Sequence, residues 1–102
     1  MAEKPIIEKV RQYAEAVRSR FPVKCILLFG SFAKGTQSPD SDIDVAVVLE
    51  EEPSDLLDTQ RELYRLRRSI DVRIEPKLVD NTNDPSGFWE EISGYGQIVY
   101  GT

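Results

Sequence analysis

Two short apolar runs constrain this chain more than anything else in it. Val23 to Phe29 and Asp42 to Leu49 each read as a strand, and what matters is how the first ends and the second begins. The first closes on Gly30-Ser31. The second opens, eleven residues after Ser31, with Asp42-Ile43-Asp44. Side chains alternate along a strand, so Ile43, Val45, Val47 and Leu49 point one way and Asp42, Asp44, Ala46 and Val48 the other. Any fold for this chain must therefore set a polar, carboxylate-bearing strand entrance near a glycine turn.

The surrounding pattern predicts an alternation of helices and strands. Ile6, Val10, Tyr13, Ala14, Val17 and Phe21 recur at helical spacing and predict an amphipathic helix from Pro5 to Arg20. Pro5 suits its first turn and Pro22 ends it. Ser31 to Lys34 reads as a short helix stopped by Gly35, and Thr36 to Ser41 as a loop. After the acidic turn Glu50 to Pro53, Ser54 is the expected N-cap of a helix with Leu56, Leu63, Leu66 and Ile70 on its apolar stripe. Ile70 to Glu75 alternates as a third strand, which Pro76 is expected to stop. Phe88 to Ser93 reads as a helix capped by Gly94, and Gln97 to Tyr100 as a last strand. There is no repeat or long linker, so residues 1–102 are expected to form one domain, an α/β (α+β) fold with a small mixed sheet and helices mainly on one face.

Composition narrows the function. Apolar residues are 40% and charged residues 30% of the chain, an ordinary soluble globular balance. A net charge of -5 argues against stable nucleic-acid binding, which needs clustered positive charge. The apolar runs are too short to cross a membrane, and Met1-Ala2-Glu3-Lys4-Pro5 does not read as the start of a signal peptide. Cys25 is the only cysteine, so no internal disulfide forms; it reads as inert core, and the expected location is cytoplasmic. With no histidine, a general base or metal ligand must be a carboxylate.

Asp42 and Asp44 lie two apart on a strand, with Cα atoms ~6.5–7 Å apart, so both can reach one ion or bridge two. Asp71 opens the third strand and would join them if the strands are neighbours; Glu75, on the same side, is the substitute. Three close carboxylates repel each other, and a divalent cation relieves the repulsion. Gly30 permits a ligand to approach the backbone, and Ser31 adds a hydroxyl at a helix start that suits phosphate. Lys34 is placed to reach a triphosphate and Ser41 to orient the loop before Asp42. Arg61, Arg65 and Arg68 read as a solvated row. Phe88, Trp89, Tyr95 and Tyr100 read as packing.

A Gly-Ser, about ten residues, Asp-x-Asp and a later acid on a strand is a pattern that this chain shares with known proteins. It resembles the minimal nucleotidyltransferases of the DNA polymerase beta superfamily. Gly30-Ser31-Phe32-Ala33-Lys34-Gly35 and Ser38-Pro39-Asp40-Ser41-Asp42-Ile43-Asp44 carry the likeness, which extends to Gly94-Tyr95-Gly96-Gln97-Ile98-Val99-Tyr100. The resemblance implies that Gly30, Ser31, Lys34 and Ser41 bind nucleotide. It implies that Asp42, Asp44 and Asp71 hold two Mg²⁺ and act in catalysis, with ATP as donor of AMP. Members of this family often accompany a helical HEPN protein in toxin–antitoxin pairs. The implied partner is thus a HEPN-type toxin adenylylated on tyrosine, and a homo-oligomer is left open. The competing expectation is a catalytically weak nucleotide-binding module that neutralises its partner by contact alone.

Overall fold

Helix α1 spans Lys4–Arg18 in a computed structural model that describes residues 3–101. Its stripe Ile6, Val10, Tyr13, Ala14 and Val17 is buried as the helical period requires. The Tyr13 hydroxyl donates to the Leu63 carbonyl at 2.7 Å, so the buried phenol is satisfied; burial pushes its pKa up. Then follow β1 (Val23–Phe29), α2 (Gly30–Lys34), β2 (Ile43–Leu49), α3 (Leu56–Leu66), a 3-10 turn at Arg67–Ser69, β3 (Ile74–Leu78), α4 (Phe88–Tyr95) and β4 (Gln97–Gly101).

The four strands form one mixed sheet in the order β3-β2-β1-β4. β1 runs antiparallel to both β2 and β4, and β2 runs parallel to β3. One sheet face presents Ile26, Leu28, Val45 and Val47 to a core completed by α1 and by Leu63 of α3. The other presents Leu27 and Ala46 to Ile92 of α4. Burying one such aliphatic side chain contributes about 1.5–3 kcal/mol. Truncating Leu28, fully buried between strand and helix, would cost about 2–5 kcal/mol. Among the described residues, no helix is long and apolar enough to cross a membrane.

The third strand departs from expectation. It occupies Ile74–Leu78 rather than Ile70 to Glu75, and Pro76 lies inside it. Asp71 bends the chain before the strand can start. Its carboxylate accepts the Arg73 N–H at 2.9 Å and its carbonyl accepts the Ile74 N–H at 3.1 Å. Pro76 is tolerated because β3 is an edge strand. The bonds Ile43 N–H to Arg73 C=O and Val79 N–H to Val47 C=O turn the odd-numbered residues toward β2. The missing N–H of Pro76 thus faces the open edge. The N-cap of α3 is Asp55, which accepts from the Asp58 N–H at 2.9 Å, in place of Ser54. Leu56, expected on the apolar stripe of α3, is 54% exposed; the buried positions of that helix are Thr59 and Leu63. Helix α4 continues through Gly94 and ends at Gly96, whose N–H returns to the Ile92 carbonyl at 2.7 Å.

Candidate active site

The site begins where β1 ends. Gly30 has φ of +72°, a left-handed conformation that L side chains disfavour, and it starts α2. Its N–H donates to the Tyr95 hydroxyl at 3.0 Å. The Lys34 ammonium lies 4.6 Å from the centre of the same tyrosine ring. Tyr95, at the end of α4, therefore braces both ends of the Gly30–Lys34 helix. Phe29 is paired with Asp44 across the antiparallel ladder, which brings Asp44 against Gly30. A Cβ added to Gly30 would strike the Asp44 carboxylate, with the Asp44 Cγ 2.9 Å and Cβ 3.1 Å away. Only glycine fits this approach.

The parallel register pairs Asp44 with Glu75, so their side chains leave the same sheet face. Asp42, two residues earlier, joins them around a cavity of about 550 Å³ whose other walls include Phe29, Tyr64, Lys77 and Phe88. Phe29 and Phe88 meet edge to face with centroids 5.6 Å apart. Partial burial pushes the Asp44 carboxyl above its ordinary range, and the charges of Asp42 and Glu75 push it further, against the pull of Lys77. Glu75 is held from α3 and the turn after it. The Tyr64 hydroxyl donates to one Glu75 oxygen at 2.8 Å, and Arg67 reaches the other at 3.3 Å.

Asp71 is not in this cavity. Lys9 holds its carboxylate at 2.9 Å and Arg73 at 2.8 Å, and only 8% of its side chain is exposed. The Arg73 hydrogen bonds, ahead of the one from Lys9, keep it well below the usual carboxylate range. Asp71 thus ties α1 to the turn before β3, and the acid that the fold sets beside Asp44 is Glu75. The expectation failed because the strand starts four residues later than its alternation suggested. Ser41 accepts the Ser38 N–H at 2.8 Å and organises the loop turn. Lys34 is exposed and Ser31 half-buried, beside Gly30 on α2. Sequence reasoning missed Tyr64, Arg67 and Tyr95 as partners of this site. The signal present was Tyr64 and Arg67 three apart before the strand that carries Glu75.

The donors are hard carboxylate oxygens, which suit Mg²⁺. Among the described residues, no three acids stand close enough to enclose an ion unaided. Glu75 is engaged by Tyr64 and Arg67. Mg²⁺ commonly takes one or two carboxylates and fills its shell with water and substrate phosphates, so Asp42 and Asp44 fit that use.

The model for the nucleotidyltransferase domain matches residues 10–93, a span that includes Gly30, Ser31, Asp42, Asp44 and Glu75. MntA, a protein adenylyltransferase of Thermococcus cleftensis, is 36% identical over 88 residues, 86% of this chain and 84% of that protein. MJ1379 of Methanocaldococcus jannaschii is 41% identical over 46 residues, 45% of this chain and 46% of that protein, so that match spans less than half of the relative. A crystal structure of a toxin–antitoxin with AMP-PNP superposes with a TM-score of 0.71 at 28% identity, over 94% of this chain and 73% of that chain. The glycine turn packed on Asp44, the acids gathered from neighbouring strands and the match across most of the chain lead to one assignment: the chain belongs to the nucleotidyltransferase domain family.

Proposed function

We propose that this chain transfers AMP from ATP to a hydroxyl of a protein acceptor, and that the acceptor is a HEPN-type helical toxin which it restrains as an antitoxin. The observation that carries the proposal is the convergence of Asp42, Asp44 and Glu75 on one cavity beside the Gly30 turn. The adenylyltransferase relative and the toxin–antitoxin neighbour with AMP-PNP support the donor and the kind of partner.

In this reading Ser31 and the start of α2 receive the terminal phosphates, with Lys34 nearby. The Gly30 N–H stays with Tyr95, so Gly30 contributes shape rather than a donor. Asp42 and Asp44 would hold Mg²⁺, two ions being expected, and Glu75 stands beside Asp44 in the place expected of Asp71. The metal, when bound, neutralises charge on the triphosphate and among the acids. Glu75 accepts the proton of the attacking hydroxyl. The acceptor oxygen bonds to the α-phosphorus as the bond to pyrophosphate breaks. Phe29 and Phe88 offer an apolar wall to a flat base.

The test uses purified protein, Mg²⁺, α-labelled ATP and the HEPN-type partner. Label is expected on the partner, and none with Asp44→Asn. Full neutralisation of the partner by Asp44→Asn with no label from the wild type would favour a contact-only module and refute the proposal.

A further inference from the structure

The Tyr64 hydroxyl lies beside the acid to which proton removal is assigned above. Its Oη lies 2.8 Å from Glu75 Oε2, inside the range over which a base takes a proton from an attacking group. It borders the same cavity as Asp42 and Asp44, and it carries the only side-chain hydroxyl among the residues that line it. The residue is 36% exposed and forms part of the cavity wall. The Arg67 guanidinium lies 4.9 Å from the ring centre and also reaches Glu75, which fixes the phenol relative to the acid. Helix α3 carries Tyr64 around the open edge of β3, so no other strand intervenes between its hydroxyl and the acids.

We propose that the protein adenylylates itself on Tyr64. The inference rests on the nucleotidyl transfer proposed above. The phenolic oxygen forms a bond to the α-phosphorus of a nucleoside triphosphate. The bond from that phosphorus to the bridging oxygen breaks, pyrophosphate leaves, and the phenol proton passes to Glu75. The product carries one adenylyl group inside the cavity that receives the donor. The modification is therefore self-limiting, at one group per chain, and it closes the site to further turnover. A tyrosine that merely braced Glu75 would gain no mass.

The full chain is incubated with Mg²⁺ and α-labelled ATP, with and without the HEPN-type partner, and labelled peptides are mapped by mass spectrometry. The expected result without partner is one adenylyl group per chain on the peptide that carries Tyr64. That label is lost in Tyr64→Phe and in Asp44→Asn. If the partner is labelled while the chain stays unmodified, or carries label at another residue, the self-modification is overturned and nucleotidyl transfer stands. If neither protein is labelled, both readings fail together. The wild-type peptide map decides the matter even if a variant folds poorly.

Discussion

Gly30→Ala puts the closest contact of the site under a measurable load. Two costs add. An L residue at φ of +72° is disfavoured by about 1–2 kcal/mol. The new methyl then meets Asp44, whose Cγ would be 2.9 Å and Cβ 3.1 Å away. Rotating the carboxylate clears the first contact. The second involves an atom fixed to the β2 backbone, so the Phe29–Asp44 pair must also open by a few tenths of an ångström. Overpacking of this kind costs about 1–3 kcal/mol. The sum of about 2–5 kcal/mol lowers Tm by roughly 10–25 °C. Activity falls as well, because displacing a positioned carboxylate slows transfer. The assay is thermal unfolding with single-turnover label transfer at a temperature where the variant is folded. Gly30→Asn separates the terms, since asparagine tolerates left-handed backbone but still carries a Cβ. Transfer by Gly30→Asn should be as poor as by Gly30→Ala. Wild-type transfer by either variant would refute the contact between Gly30 and Asp44 as the reason for the glycine.

The third acid is tested by a pair of variants. Glu75→Gln should abolish the Mg²⁺–ATP increase in Tm, whereas Asp71→Asn should keep it while costing about 2 kcal/mol through lost charged hydrogen bonds; the reverse pattern would restore Asp71 to the site. That Asp71 contribution is present above its ordinary pKa of 3.8 and is lost as pH falls through the depressed folded value, so the Asp71→Asn penalty in chemical denaturation should shrink below pH 4. Asp44 has the opposite sign. Its raised folded pKa gives stability that is present at low pH and lost as pH rises through that value, so Asp44→Asn should raise the metal-free Tm near neutral pH and remove the Mg²⁺–ATP shift. An unchanged or lower Tm would mean that charge repulsion does not burden Asp44. Tyr95→Phe takes the acceptor from the Gly30 N–H; it should cost about 1–3 kcal/mol and weaken ATP binding measured calorimetrically. Identical binding would mean that the turn holds its shape alone.

Much of this arrangement was legible in the residues. The strand Val23–Phe29 was expected with the bounds it has, and Asp42 and Asp44 were expected on one sheet face, because period-two alternation over a buried strand leaves little choice. The short helix after Gly30 was legible from the glycines at its two ends. Asp71 misled because Ile70, Val72 and Ile74 alternate like a strand while Asp71 closes a turn with its own backbone, and a local pattern does not reveal that competition. Pro76 misled for a complementary reason: whether proline ends a strand depends on which neighbour the strand faces, which is a property of the whole sheet. Tyr95 was not legible as a site residue, and Tyr64 and Arg67 only weakly so from their spacing, because their partners lie across tertiary contacts.

The antiparallel pairing of β1 with β2 sets an order of assembly. Gly30 and Asp44 both lie within residues 23–49, a wide hairpin whose connection holds α2. Closing so short a loop costs little chain entropy, so this half of the sheet can form early. Glu75 arrives only after the right edge is built through α3 and a parallel strand, the slower kind of pairing. A partly folded chain can thus hold a cradle with two carboxylates while still lacking the third acid, and commitment to chemistry coincides with docking of the last parallel strand.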